Sequence, residues 1–347
     1  MGTDPVRVGI AGLGRAGWGL HALSLEQLPQ QYRIVAVTDP ESSRRQEAQE
    51  RFGCRAYETF EALLEDEEVE LVVVATPSVF HAEQSIAAME AGKHVLCEKP
   101  FATTLEDADR MIETGRKTGR IVTSAQNYRY ASDFLKVREI LDSGVLGQVL
   151  TVKMNTHRFS RRWDWQTLKE FGGGELNNTA VHLIDQAVLL LGDREVEVFC
   201  HRMHTPLSSG DAEDHVKVVL KAKDGLLFDI EATMAAAYPQ EKLLILATQG
   251  GLRVRGSRIE WKYFDPSQLP PRPVDRRPTP DRSYNREELP WVEEQYDVPP
   301  ESFNLRNRRL YEDLYRTLRE GAPLAITPES VRKQMWILQR CRELAPV

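Results

Sequence analysis

Val6-Arg7-Val8-Gly9-Ile10-Ala11-Gly12-Leu13-Gly14-Arg15-Ala16-Gly17 is the stretch on which the fold turns. A β-branched, apolar run passes directly into glycines spaced G-x-G-x-x-G, which predicts a strand, a tight turn and the start of a helix. Gly12 permits the bend, Gly14 lets backbone approach a pyrophosphate, and Gly17 lets the helix sit close to the strand. The first-turn N–H groups around Arg15 and Ala16 lie at the positive end of the helix dipole, where phosphate binds well. A second apolar run, Tyr32–Thr38, ends at Asp39. That acid falls roughly 20 residues after the turn, where a ribose-binding carboxylate belongs. Asp39 favours NAD, since it accepts from a 2′-hydroxyl and repels a 2′-phosphate. Arg44 and Arg45 keep NADP open, although helix-surface charge is their plainer role.

Outward from this turn, strands and helices alternate. Leu71–Ala75, His94–Cys97 and Ile121–Ala125 suit strands buried on both faces. Helical patterns occupy Arg15–Leu28, Glu41–Phe52, Phe60–Leu64, Ala82–Ala91 and Leu105–Thr118, and Gly53, Gly92 and Gly119 stand where helices stop. The alternation predicts a doubly wound parallel sheet over residues 1–125, an NAD(P)-binding α/β Rossmann domain. Beyond it the rhythm changes. A helix at Ala131–Leu141 precedes strand-like runs at Val149–His157, Val196–His204, His215–Lys223, Leu226–Thr233, Leu243–Thr248, Leu252–Val254 and Ile259–Phe264. One helix, Thr179–Leu191, interrupts them. Successive strands predict a mainly antiparallel sheet, so residues 126–347 read as an α+β domain. Nine of the 19 prolines fall between Pro266 and Pro300, a stretch expected to lack regular structure. Helices at Phe303–Arg319 and Pro328–Leu344 close the chain.

The bulk numbers exclude several classes. The 347 residues leave room for two domains, and a formal charge of −7 with mixed signs lacks the basic surplus of a nucleic-acid binder. Four scattered cysteines form neither a disulfide framework nor a zinc site, which fits a reducing, cytoplasmic setting. The longest apolar run is far too short to span a bilayer. No metal site is expected; His201-x-x-His204 sits on a strand, where that spacing puts the rings on opposite faces.

The chemistry concentrates after two strand ends and on one helix. Thr76-Pro77 closes the third main strand and would pass beneath the ribose and nicotinamide, with His81 as a cofactor neighbour. Glu98-Lys99-Pro100 ends the next strand. Oxidising an alcohol removes a hydroxyl proton as hydride leaves the carbon, so an amine with a lowered pKa is needed, and burial would lower that of Lys99. Gly172-Gly173-Gly174 precedes Asn178 and His182, which share a helix face at a spacing of four. The glycines are expected to leave room for substrate, His182 to handle a proton, and Asp185 to orient its ring. Gln126-Asn127-Tyr128-Arg129 should enter the cleft, Gln126 toward the cofactor and the others toward substrate. His157, Arg158 and Trp165 join them as candidates, arginines and an aromatic face being suited to a sugar; packing or a subunit contact explains them nearly as well.

The glycine turn, Ala75-Thr76-Pro77, Glu98-Lys99-Pro100 and the Gly-Gly-Gly to His182-x-x-Asp185 segment together resemble the Gfo/Idh/MocA oxidoreductase family, that of glucose–fructose oxidoreductase and inositol 2-dehydrogenase. The resemblance implies NAD(P), sugar or polyol substrates, Lys99 and His182 as catalytic residues, and an open sheet that builds homodimers or homotetramers. One position departs: the family carries aspartate where this chain has Asn178, and an amide orients a hydroxyl without taking its proton. Two alternatives follow, a non-net-redox lyase or glycosidase using NAD transiently, and a non-enzymatic dinucleotide-binding regulator.

Overall fold

The computed structural model describes residues 4–278, 282–302 and 304–347. Six short strands, β1 (Val6–Ala11), β2 (Tyr32–Thr38), β3 (Arg55–Tyr57), β4 (Leu71–Val74), β5 (His94–Cys97) and β6 (Val122–Ser124), pair in the order β3-β2-β1-β4-β5-β6. All five pairings are parallel. The four residues of β4 are wholly buried, as expected for a strand covered on both faces. The chain runs outward from β1 through β2 to β3, then returns to place β4 on the other side of β1. The reversal opens a crevice at the carboxyl ends of β1 and β4, the place where such sheets bind ligands.

The connecting helices begin with π-helical turns at Arg15–Ala22 that continue through Leu23–Leu25 (together α1). Next come α2 (Ser42–Phe52), α3 (Phe60–Leu64), α4 (His81–Glu90) and α5 (Leu105–Thr118). The boundaries of α5 follow from local chemistry. Thr104 Oγ1 accepts from Asp107 N (3.0 Å), Glu106 and Asp107 occupy the positive end, and Gly119 ends the helix at φ +65°.

After α6 (Ser132–Asp142) comes an eight-stranded sheet: β7 (Val149–His157), β8 (Val196–Met203), β9 (His215–Ala222), β10 (Leu227–Thr233), β11 (Leu243–Ala247), β12 (Gly250–Arg255), β13 (Arg258–Tyr263) and β14 (Val292–Asp297). Its order is β14-β13-β12-β11-β7-β10-β9-β8. Every pair is antiparallel except the central β7–β10, which is parallel. One face is buried through alternate residues such as Val216, Val218 and Leu220. Against it pack α7, a π-helical turn at Leu176–Ala180 running into Val181–Leu191, and α9 (Pro328–Leu344). The opposite face exposes Phe199, Met203 and Leu246 among charged side chains.

Two differences from the sequence expectation bear on function. The proline-rich stretch contains β14, which pairs residue by residue with β13 from Arg258↔Asp297 to Tyr263↔Val292; its alternation is polar because it is an exposed edge. Thr279, Pro280 and Asp281 of that stretch, and the expected helix start at Phe303, lie outside the described residues. The helix itself, α8, spans Leu305–Tyr315 with a π-helical turn at Arg316–Glu320. It folds back onto the first sheet, where Tyr311 meets Tyr32 edge to face.

Candidate active site

The glycine turn is shaped as its spacing requires. Gly12 has φ +88°, and a Cβ there would lie 2.7 Å from the Ala75 carbonyl oxygen. A Cβ at Gly17 would fall 1.7 Å from the Gly12 oxygen, so only glycine fits. Gly14 is different: a Cβ there meets nothing within 4 Å, and the residue caps α1 without a side-chain hydrogen bond. Gly14 thus faces open space while its neighbours are locked against protein, and with Arg15 and Ala16 it forms a bare helix start that fits a pyrophosphate. Asp39, 3% exposed, ties β2 to this turn. Its Oδ2 accepts from Leu13 N (2.7 Å) and its Oδ1 from Glu41 N (2.9 Å), while Arg44 Nη1 stands 3.5 Å away. Arg45 donates to the Asp39 carbonyl (2.8 Å). The residues present fit a dinucleotide, and the acid at the ribose position fits NAD.

Thr76 and Pro77 follow β4, with Thr76 Oγ1 donating to Gln84 (2.6 Å). His81, 1% exposed, lies behind them. Its Nε2 meets the Thr76 carbonyl (2.9 Å) and its Nδ1 the Pro100 carbonyl (2.8 Å). The sequence reading of His81 as a cofactor contact is therefore corrected: the buried ring lies between two turn carbonyls and has no surface left to offer.

Lys99 leaves the end of β5 through a cis Lys99–Pro100 bond. Its Nζ donates to the backbone carbonyl of Asn178 at 3.0 Å. Asn178 belongs to the π-helical turn that opens α7, and His182 stands one turn further on. The π-helical turn carries the carbonyl that Lys99 engages; such turns recur at functional sites. Burial pushes the Lys99 amine below the usual lysine range, with Arg162 and Arg15 adding to it and Glu98 and Glu175 opposing. The His182 ring stacks on Tyr128 at 4.1 Å and 20°. Arg306, paired with Glu301 (2.8 Å), lies 4.8 Å from the same tyrosine ring. Burial, then Lys99 and Arg306, hold the His182 pKa well below its ordinary value. His182 Nδ1 is buried without a hydrogen-bond partner among the described residues. Lys99 and His182 thus lie close enough for the charge of one to act on the other.

Several other candidates are displaced. Arg129 is not a substrate ligand: it grips Asp185 through two 2.7 Å hydrogen bonds, both side chains buried. Asp185 consequently does not orient His182. Gln126 is wholly buried and donates to Gln334 (2.7 Å), out of reach of a cofactor. Asn127 donates to Asn307 (2.6 Å), which leaves its Oδ1 buried and unpartnered. His157 Nδ1 accepts from Gln240 N (3.1 Å) and its Nε2 points at Glu231 (3.1 Å), so it belongs to the far face of the sheet. Arg158 holds Glu175 (2.7 Å) and Thr179 (2.9 Å), supporting the start of α7. Trp165 is not among the displaced: it stays half exposed, edge-on to Phe171 at 6.2 Å. The Asn178 amide donates to the Gln166 carbonyl (3.0 Å). Two glycines of the loop are set by packing: a Cβ at Gly173 would meet the Gln166 carbonyl at 2.3 Å, and one at Gly174 the Glu213 carboxylate at 2.6 Å. Close packing is what demands glycine there.

The sequence reading also missed residues. Glu98 Oε1 meets His21 Nε2 at 2.9 Å, and His21 Nδ1 meets Tyr311 Oη at 2.7 Å. A histidine at a buried position of α1 was the available signal; its partner lies 290 residues away.

Residues 6–126 match the model described as the oxidoreductase family with an NAD-binding Rossmann fold, and residues 134–253 match that of the GFO/IDH/MocA C-terminal domain. The chain belongs to the Gfo/Idh/MocA oxidoreductase family. Within it, the chain is 32% identical to D-glucoside 3-dehydrogenase of Escherichia coli over 75% of this chain and 74% of that one. Identity to myo-inositol 2-dehydrogenase of Thermotoga maritima is 32%, over 67% and 70% respectively. An uncharacterised oxidoreductase of Schizosaccharomyces pombe is 31% identical, and the match spans 60% of its length. An NAD-binding protein from Listeria innocua shares the fold, with a TM-score of 0.80 over 98% of this chain and 94% of that one at 23% identity. Among the described residues of this Gfo/Idh/MocA protein, no helix is long and apolar enough to cross a membrane, and no cluster of side chains forms a metal site.

Proposed function

We propose that this chain is an NAD(P)-dependent oxidoreductase acting on the CH–OH group of a sugar, sugar derivative or polyol, with NAD preferred. The observation that carries the reading is the 3.0 Å contact from Lys99 Nζ to the helix turn preceding His182, at the carboxyl edge of a parallel sheet beside an open glycine turn. Gly12, Gly14, Arg15 and Ala16 would hold the pyrophosphate, Asp39 the ribose, and Thr76, Pro77 and the Glu98-Lys99 turn the nicotinamide end. The nicotinamide, when bound, supplies the hydride acceptor.

Lys99 takes the hydroxyl proton. Burial favours its neutral amine, so reactivity rises with pH as the ammonium loses its proton below the usual lysine range. His182 acts differently. A buried N–H without a partner costs more than a buried lone pair, so the proton sits on Nε2 and the ring donates to the substrate oxygen. Tyr128 fixes the ring plane. Among the described residues no carboxylate bonds His182 Nδ1, and the Asn178 amide is engaged by the Gln166 carbonyl. Substrate contacts are assigned to Tyr128, His182 and the half-exposed Trp165.

The division of labour follows the two sheets, with residues 1–125 for cofactor and 126–347 for substrate and assembly, while α8 reaches back across it. Four unpaired, buried cysteines support a cytoplasmic setting, and the exposed sheet face supports a homodimer or homotetramer. The test is a panel of sugars, glycosides and cyclitols with NAD and with NADP, followed by nicotinamide absorbance. Reduction of NAD by at least one polyol supports the reading; inertness across the panel despite tight NAD binding removes it in favour of a regulator. Asn178 sustains a second reading, elimination with transient oxidation, for which products would form without net NADH.

A further inference from the structure

Glu98 carries a buried carboxylate whose neighbours have been arranged with unusual completeness. His21 comes from α1, Tyr311 from α8 and the Lys99 N–H from the turn itself, three separate parts of the chain. All three side chains are buried, with Tyr311 and His21 at 0% and 1% exposure. One proton arrangement satisfies every group. Tyr311 donates its hydroxyl to Nδ1, Nε2–H donates to Oε1, and the Lys99 N–H donates to Oε2 at 3.0 Å. Burial alone would raise the carboxyl pKa; the hydrogen bond from His21 and the nearby Lys99 outweigh it and lower the group. Burial keeps the Tyr311 hydroxyl protonated, as a donor must be.

The consequence lies at Lys99. Although Glu98 is its sequence neighbour, Nζ meets the Asn178 carbonyl and no carboxylate among the described residues. Two carboxylates act on the amine, Glu98 and Glu175, and Arg15 and Arg162 oppose them. Glu175 is already neutralised by Arg158. His81 from α4 and His182 from α7 complete the titratable surroundings, one held by two carbonyls and the other against Tyr128. Glu98 is therefore the anion with which Lys99 would pair if nothing held it elsewhere.

We propose that Tyr311 and His21 are positioning residues which hold the Glu98 carboxylate away from Lys99, so that the amine stays unpaired and free to take a proton from the substrate. The proposal rests on the reading of Lys99 as proton acceptor, and it adds two residues that touch neither substrate nor cofactor. Losing the His21 donor leaves a buried anion that turns to the nearest cation, which favours the ammonium form of Lys99. Losing the charge of Glu98 does the opposite.

Lys99 ionisation is measurable without any substrate. The full-length chain is acetylated with a water-soluble N-hydroxysuccinimide ester across a pH series, and Lys99 modification is quantified by peptide mass spectrometry. Tyr311→Phe and His21→Asn are expected to raise the midpoint by roughly 0.5–1 pH unit, and Glu98→Gln to lower it by a similar amount. Tyr311→Phe keeps the ring and guards against a variant that fails to fold, which melting temperature checks. An unchanged or lowered midpoint in Tyr311→Phe and His21→Asn would overturn the proposal and reduce the chain of hydrogen bonds to packing between α1 and α8. If the midpoints move as expected while the substrate panel stays inert, the positioning stands and the oxidoreductase reading falls.

Discussion

Gly14 and Gly17 are three positions apart and carry opposite consequences. A methyl at Gly17 collides with the Gly12 carbonyl at 1.7 Å, whereas one at Gly14 touches no protein atom. Gly17→Ala is expected to destabilise the fold by about 3 kcal/mol or more, read by denaturant unfolding. Gly14→Ala should melt with the wild type yet lose about tenfold or more in NAD affinity by titration, because its methyl occupies the space a pyrophosphate needs. His182 allows an equally sharp comparison. Its proposed task is to donate from Nε2, and a glutamine amide offers a donor at a similar reach. His182→Gln is expected to keep kcat within about tenfold, and His182→Leu to lose roughly 100-fold or more. Equal losses in both variants would restore the ring as a base. At this scale the sequence was informative where position depends on local spacing: Gly12 takes φ +88° after β1, Asp39 follows β2, Lys99 follows β5 and His182 sits on α7. It was silent where a side chain chooses a distant partner. Arg129 is next to the site in sequence, yet it turns to Asp185 inside the core, and nothing in either segment announces the pair.

Among the elements, the strand ends and helix starts of the first sheet were legible because β-branched runs, glycine stops and N-caps are local signals. The edge strand β14 was hidden because an exposed edge carries no apolar alternation, and because the prolines before it dominate the composition. The His21–Glu98 contact joins α1 to the end of β5 and gives the molecule a definite acid sensitivity. Glu98 has a folded pKa of about 2 against an ordinary 4.5. A depressed carboxyl pKa contributes stability that is fully present above the unfolded value and is lost as pH falls through the folded one. Stability should therefore decline as pH falls from about 4.5 toward 2, with this group contributing to the loss. Denaturant unfolding across that range should show a flatter profile for Glu98→Gln; a slope equal to that of the wild type would detach the decline from this residue.

At the scale of the whole molecule, α9 packs against both sheets, meeting β6 in one and β8 in the other. The open face of the eight-stranded sheet presents Phe199 at 60% exposure and Met203 at 50%, alongside Leu246, on a surface that also carries Lys217 and Glu231. The proposed homo-oligomer would place its interface on this face. Phe199→Glu is expected to lower the assembled mass in sedimentation while leaving NAD affinity intact. A monomeric wild type would contradict this. The central claim is narrower than assembly, since it concerns one amine at the cofactor end of the crevice. It is tested most directly by measuring kcat and NAD affinity together for Lys99→Ala with the best substrate of the panel. The account predicts a loss of turnover of about 1000-fold or more with NAD binding nearly unchanged; turnover close to that of the wild type would contradict it.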